Sequence, residues 1–165
     1  MTRSALFKPL AVLPWLFLLP ALLAAQTASD MDLLLDTEEL SYGQAAWIVM
    51  EAAEVLVAGE QDRAEAFRTA RRWGWLPRQA RMEDPIPLRE LSLLVMEAFR
   101  LRGGIMYSLF HTGRYAHREL VYRQFIQGRA DPGRRVSGER LLRILGRVLS
   151  YTGEAAGGEG DPYLE

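Results

Sequence analysis

The same helix-start pattern occurs three times in this chain of 165 residues. Leu40, Ile86 and Val136 open the three copies, and apolar residues at helical spacing follow each of them. The opening residues lie 46 and then 50 positions apart. Periods of this length are typical of helical units that bury their apolar faces against one another. The sequence therefore predicts an all-α fold, with helix-loop-helix repeats packed as a small bundle of about five main helices.

Local signals set the expected limits of these helices. Ser41 has the chemistry of an N-cap, and Gln44 lies three residues further on, where a capping box places its partner. Leu76 and Ile126 each lie ten residues before the next copy, so the linkers align as well as the helix starts. Glycine- and proline-containing loops follow the apolar runs. The expected helices span residues 42–58, 62–73, 88–102, 115–127 and 138–151.

Apolar spacing also predicts which helix faces are buried. The second helix carries Phe67, Ala70 and Trp73 on one face, which is expected to contact the core. Residues 105–113 have no counterpart between the first two copies, and this aromatic insert is expected to pack over the core as a short helix or turn. In the last helix, the inward set is Leu141, Ile144, Leu145 and Val148, and the opposite face has Arg140, Arg143 and Arg147.

Residues 1–25 have the features of a secretory signal. Arg3 and Lys8 are basic, the following run is apolar with two prolines, and small residues precede Gln26. The sequence therefore predicts cleavage near Ala25 and an exported protein of the periplasm or cell envelope. An uncleaved membrane anchor is the alternative, and the two prolines argue against it. No transmembrane span is expected after signal cleavage.

Three further regions follow the signal in this prediction. Residues 26–39 form an acidic lead-in, residues 40–152 the helical repeat domain, and residues 153–165 a Gly- and Glu-rich tail that is expected to be disordered. The chain has no cysteine, so an exported domain must rely on its core rather than on disulfides. The same absence excludes thiol chemistry and cysteine-ligated metals.

Charge is distributed unevenly along the chain. Between Ala28 and Asp62 there are nine acidic residues and no basic one. Between Arg63 and Arg147 there are eighteen arginines, no lysine and eight acids. The folded middle is therefore expected to be an arginine-rich body between acidic ends. Such a charge would suit nucleic acid, but export argues against that partner, and none is predicted.

Two linkers and the helix starts beside them follow a known pattern. One reads Gly128-Arg-Ala-Asp-Pro-Gly-Arg-Arg-Val-Ser-Gly-Glu-Arg-Leu, and the other joins Ala70-Arg-Arg-Trp-Gly-Trp-Leu-Pro to Pro85-Ile-Pro-Leu-Arg-Glu-Leu. Over residues 40–150 the chain resembles the S-layer homology family. The resemblance implies an all-α bundle that attaches noncovalently to cell-wall polysaccharide or peptidoglycan. The motif arginine by which that family contacts acidic glycan aligns with Tyr42, Leu88 and Gly138.

Arginine-rich loops and nearby tryptophans form the candidate ligand-binding site. Guanidinium groups bind carboxylates and phosphates in bidentate geometry, and a tryptophan ring can stack on a sugar. We hypothesise that the loops form a groove for an anionic cell-wall glycan. The alternative is a solvated surface with two core tryptophans. The candidate residues are Trp73, Trp75, Arg78, Arg81, Arg129, Arg134 and Arg135.

The sequence predicts neither catalysis nor a bound cofactor. His111 and His117 are the only histidines, and they are spaced so that they would not share a helix face. No catalytic or metal-ligating set and no cofactor motif is recognised. A non-enzymatic wall-binding protein is the first expectation. The second is an adaptor that docks on an envelope protein partner, which exposure of Met106, Tyr107, Leu109 and Phe110 would favour and their burial would not.

Overall fold

The computed structural model describes residues 34–56 and 62–156. The predicted signal, residues 1–25, lies outside the described residues, as do most of the acidic lead-in and the tail from residue 157 onward. The chain divides into two compact units, Met1–Asp36 and Thr37–Glu165. Only residues 34–36 of the first unit are described, and the six described helices belong to the second.

The second unit is all-α over its described residues, which confirms the predicted fold class. Between the helices, isolated bridges join Ser41 to Pro85 and Pro87 to Arg135. Among the described helices, none combines the length and apolarity that crossing a membrane requires. The helices are α1 (Tyr42–Ala52), α2 (Arg63–Arg72), α3 (Leu88–Ala98), α4 (Ile105–Phe110), α5 (Gly113–Tyr122) and α6 (Gly138–Ala156).

The predicted capping box begins α1. Ser41 Oγ accepts a hydrogen bond from Gln44 N at 3.2 Å, and Gln44 Oε1 accepts one from Ser41 N at 3.0 Å. The first bond gives an acceptor to the amide of Gln44, which lies in the first turn of the helix and has no acceptor within it. The second bond gives an acceptor to the amide of the cap residue, Ser41. The N-terminal limit of α1 was therefore predictable from two side chains.

Helices α1 and α3 end before the predicted limits at residues 58 and 102, so those limits were wrong. Glu54 (φ 54°) and Arg100 (φ 51°) adopt the left-handed conformation just beyond the two helices. Val55 N then donates to Met50 O at 2.9 Å, and the corresponding bond beyond α3 has the same length. This bonding closes a helix C-terminus, and glycine usually occupies the left-handed position. Non-glycine residues occupy it in this chain, which is why the sequence did not indicate the ends.

The limits of α5 and α6 also differ from the prediction. Helix α5 runs from Gly113 to Tyr122 rather than over residues 115–127, and left-handed Gln124 (φ 61°) follows it. Helix α6 continues past residue 151 to Ala156. The first residues of the predicted tail, which were expected to be disordered, are therefore helical.

Backbone hydrogen bonds hold the three helix starts together. Leu40 N donates to Val136 O at 2.8 Å, and Ile86 N donates to Leu40 O at 2.9 Å. Each bond joins the opening residues of two copies that lie far apart in sequence. The three starts therefore form one backbone junction, although each belongs to a different part of the chain.

A second set of bonds joins each copy to the segment that precedes another copy. In each copy, the donor is the backbone amide of the residue two positions after the opening residue. The first copy donates to the segment before the second copy, the second copy to the segment before the third, and the third copy to the segment before the first. Such a closed arrangement is what packed repeats would produce, and the repeat itself stays a prediction. The bonds are Tyr42 N to Asp84 O (3.0 Å), Leu88 N to Arg134 O (2.8 Å) and Gly138 N to Thr37 O (2.9 Å).

The core forms around α1 and α3, which pack against each other and against other helices. Helix α1 packs against α2, α3 and α6, and α3 also packs against α5. The predicted inward face of α6 is buried, because Leu141, Ile144, Leu145 and Val148 are all shielded from solvent. Full burial of such a side chain contributes about 1.5–3 kcal/mol relative to exposure. This apolar core is what holds a domain without disulfides together.

Helix α4 corrects the prediction that the insert packs over the core. Tyr107 is buried at 5% exposure, but Met106, Leu109 and Phe110 are about half exposed or more. One turn of the insert is therefore anchored in the body, and the opposite face lies in solvent.

Two glycines give substitutions with opposite expected effects. A Cβ on Gly113 would lie 2.7 Å from the backbone oxygen of Arg89, so Gly113→Ala must displace α5 from the start of α3. We expect a loss of about 1–3 kcal/mol in the free energy of unfolding. A Cβ on Gly146, within α6, would meet nothing within 4 Å, so Gly146→Ala should add about 0.5–1 kcal/mol. Urea unfolding measures both, and changes of the same sign would contradict the packing described.

Candidate functional site

Two of the predicted site residues line a groove beside α6. Arg129 and Arg134, from the loop before the helix, meet Arg140, Arg143 and Arg147, which project from its outer face. The groove has a volume of about 410 Å³. Ser137 and Ile144 also line this groove.

A shallower groove of about 520 Å³ continues along the same helix. Arg143 and Arg147 line both grooves, and Phe125 and Tyr151 lie at the far end of the second. Arg123 also lines this end, 5.6 Å from the ring centre of Tyr151. We name the combined surface the arginine groove, after Arg123, Arg129, Arg134, Arg140, Arg143 and Arg147.

Some of these arginines also hold the preceding loop on α6. Arg147 donates from Nη1 to Phe125 O and from Nη2 to Gln127 Oε1, both at 3.0 Å. Arg140 Nη2 donates to Arg129 O. Because a guanidinium carries five N–H donors, these bonds leave others for a ligand. The same side chains therefore position the loop and present positive charge.

Positive charge in the arginine groove is poorly compensated. Burial, and then the like charges of Arg134 and Arg143, lower the pKa of Arg140. Among the described residues that line the groove, one is a carboxylate, Glu139, and it is paired with Arg143. Among the described residues, no ion pair joins a carboxylate to the other five arginines of the groove. An anionic ligand would relieve this repulsion, and that is the physical basis for a binding site.

Arg135 lies at the junction of the helix starts rather than in the arginine groove. Its Nη1 donates to Pro85 O at 2.6 Å. Burial raises the pKa of the Glu90 carboxyl, and the nearby charge of Arg135 partly offsets that effect. Tyr42 Oη donates to the same carboxylate. Arg135 thus contributes to the contact between copies.

The remaining predicted residues belong to the other loop. Arg78 and Arg81 are exposed, and the backbone oxygen of Arg78 accepts a bond from Arg71 at 2.6 Å. Trp73 and Trp75 contact each other edge to face at 4.7 Å. Trp73 was expected on the core face of its helix, but it lies one residue beyond the end of α2 at Arg72 and is 50% exposed. None of these four residues lines the arginine groove.

Sequence reasoning missed part of the arginine groove. It noted that Arg140, Arg143 and Arg147 share a helix face but did not include them among the candidate ligand-binding residues. Arg123 and Tyr151 gave no signal, because they lie 28 positions apart in sequence. Their meeting depends on how α5 and α6 pack, and Arg123 Nη1 donates to Tyr151 Oη at 3.2 Å.

The histidines occupy different environments. His111 is exposed, with Nδ1 3.7 Å from Glu97 Oε1, whereas His117 is buried beside the loop that carries Arg129. Burial, followed by the charge of Arg140, lowers the pKa of His117, although a hydrogen bond to the Ala130 backbone acts in the opposite direction. Within the described residues, His117 Nε2 has no hydrogen-bond partner, and no three acidic or histidine side chains form a possible metal site.

No family model, no curated protein and no solved structure matches this chain. The likeness to the S-layer homology family therefore stays a prediction that depends on the two linkers and the helix starts.

We expect the burial of His117 to make the stability of the protein pH-dependent. The unfolded chain takes up a proton near pH 6.5, whereas folded His117 resists it, so this residue contributes stability that is lost as the pH falls below that value. The substitution His117→Phe removes the titratable imidazole and leaves an aromatic ring in its place. The core already buries a phenylalanine at position 67. We expect a weaker loss of unfolding free energy between about pH 7 and pH 5 in His117→Phe than in the unaltered protein.

Urea unfolding at several pH values measures this difference. Equal slopes in the unaltered protein and His117→Phe would show that His117 is not the titrating group.

Proposed function

We propose that this protein is an exported, non-enzymatic envelope protein that binds an anionic cell-wall polymer in the arginine groove. One observation carries the proposal: six arginines from α6 and from the segment between α5 and α6 line the groove, and Glu139, the one described acid that lines it, is paired with Arg143. The features of the signal sequence support export, and the resemblance to the S-layer homology family supports a wall ligand.

The arrangement of the arginines favours a linear ligand. Arg140, Arg143 and Arg147 lie on one face of α6, and successive turns of a helix are about 5.4 Å apart. A polymer lying along this face would meet a guanidinium at each turn. Guanidinium groups bind carboxylates and phosphates through paired hydrogen bonds, so the charged groups of a wall polysaccharide suit them.

Binding fits the groove better than hydrolysis does. Most glycoside hydrolases use two carboxylates on either side of the bond that is cleaved. The described groove offers Glu139 alone, and Arg143 pairs with it. The arginine groove therefore has the groups needed to hold a polyanion but lacks that catalytic pair.

An adaptor that docks on an envelope protein partner is the second candidate function. The sequence criterion was exposure of four residues in the insert, and Met106, Leu109 and Phe110 are exposed while Tyr107 is buried. Most of that criterion is met, on a surface other than the arginine groove, but these side chains are far fewer than a stable protein interface uses.

The experiment is a pull-down of the chain from Gln26 onward on purified cell walls stripped of protein, at low and moderate salt. We expect salt-sensitive binding, because screening weakens contacts between exposed charges. Arg129→Ala/Arg134→Ala should lower the affinity about tenfold or more, since hydrogen bonds to charged groups contribute about 1.5–3 kcal/mol each. The described contacts do not use the guanidinium groups of Arg129 or Arg134 to hold the fold.

A matched control is Arg114→Ala/Arg118→Ala, which removes two exposed arginines of α5 outside the groove. The control should bind like the unaltered protein. An equal loss of affinity in both variants would indicate binding by net charge alone. If the unaltered protein binds the cell walls at neither salt concentration, the wall ligand is refuted.

A further inference from the structure

The outward face of α4 consists of four apolar side chains. Ile105 is 79% exposed, Met106 47%, Leu109 69% and Phe110 54%. Residues four apart lie side by side on a helix, so Ile105 adjoins Leu109 and Met106 adjoins Phe110. We name these four side chains the α4 face. Single exposed apolar residues are common in proteins, but a contiguous set indicates a surface with a partner.

Contacts with the body hold the α4 face outward. Tyr107 is buried on the other side of the helix, and its Oη donates to Glu97 Oε1 at 2.7 Å. The ring of His111 stacks on Tyr107 at 5.1 Å, and Phe110 stacks on Tyr115 at 5.5 Å. Exposure of the α4 face is thus a result of how the helix is anchored.

Positive charge flanks the α4 face. Arg102 precedes the helix, and Arg114 and Arg118 lie on the first turns of α5; all three side chains are exposed, and none forms an ion pair with another described residue. The nearby acids are less exposed. Glu97 bonds to Tyr107, and the Glu119 carboxylate lies against Gly104. The surface therefore presents apolar side chains with a basic margin.

Size and charge together indicate the occupant. A six-residue helix is about 9 Å long, whereas a stable protein interface uses about 20–30 residues from each partner. The α4 face is too small for such an interface. Binding to a membrane surface needs no matching protein surface, because its strength comes from apolar side chains that enter the headgroup region and from the attraction of basic residues to anionic lipids. We propose that the α4 face docks this protein on the surface of an anionic lipid bilayer.

This proposal does not depend on the wall polymer, because it uses a different surface. Co-sedimentation with vesicles of phosphatidylethanolamine and phosphatidylglycerol tests it, with the chain from Gln26 onward. We expect binding that weakens about tenfold in Ile105→Ser/Leu109→Ser, because the two most exposed apolar side chains of the α4 face are lost. Both positions are so exposed that the fold should tolerate the change, and thermal unfolding checks this.

The control is Tyr122→Ser, which removes an aromatic side chain that is 77% exposed at the other end of α5. Vesicle binding should be unchanged in this variant. Arg102→Gln/Arg114→Gln should weaken binding to the anionic vesicles while leaving the weaker binding to phosphatidylcholine vesicles unchanged.

Three results would overturn the proposal. The first is no binding of the unaltered protein to the anionic vesicles, and the second is equal loss in Tyr122→Ser and Ile105→Ser/Leu109→Ser. The third is self-association in sedimentation equilibrium that Ile105→Ser/Leu109→Ser abolishes, which would identify a second copy of the chain as the occupant.

Discussion

The backbone junction between the three helix starts is the contact on which the rest of the molecule depends. The first amides of a helix lack acceptors within the helix itself. In this chain, carbonyl groups from distant segments accept several of them, as when Tyr42 N donates to Asp84 O and Leu88 N to Arg134 O. The bonds that satisfy the helix ends therefore also determine which segments lie beside one another, without any disulfide.

The same junction positions the candidate site. The backbone of Arg134 is fixed by its bond to α3, while its side chain lines the groove beside α6. Further along, Arg140 and Arg147 hold the loop from Phe125 to Arg129 against the helix. Backbone pairing thus supplies the position of the loop, and the side chains supply the charge. The α4 face is independent of this construction, because it lies in an insert anchored through Tyr107.

Features that depend on residues close together in sequence were predicted correctly more often than features that depend on how distant segments pack. Ser41 and Gln44 indicated the start of α1 because the bonds they form span three residues. The end of α1 at Ala52 was missed because Glu54 is a left-handed residue that is not glycine. The all-α class followed from apolar spacing, as did the buried face of α6. The arginine groove was only partly predictable, because it joins Arg129 and Arg134 to residues that folding brings beside them.

Arginine replaces lysine throughout the folded body of this protein, a bias that composition alone would ascribe to codon usage. The groove gives that bias a physical consequence. Arg147 uses separate nitrogens for Phe125 O and Gln127 Oε1, and its planar fork still has N–H groups left over. A lysine ammonium has its three donors on a single nitrogen, so it cannot present separate nitrogens to separate acceptors as a guanidinium does. Within this groove the two basic residues are therefore not interchangeable, although a net-charge comparison would treat them as equal.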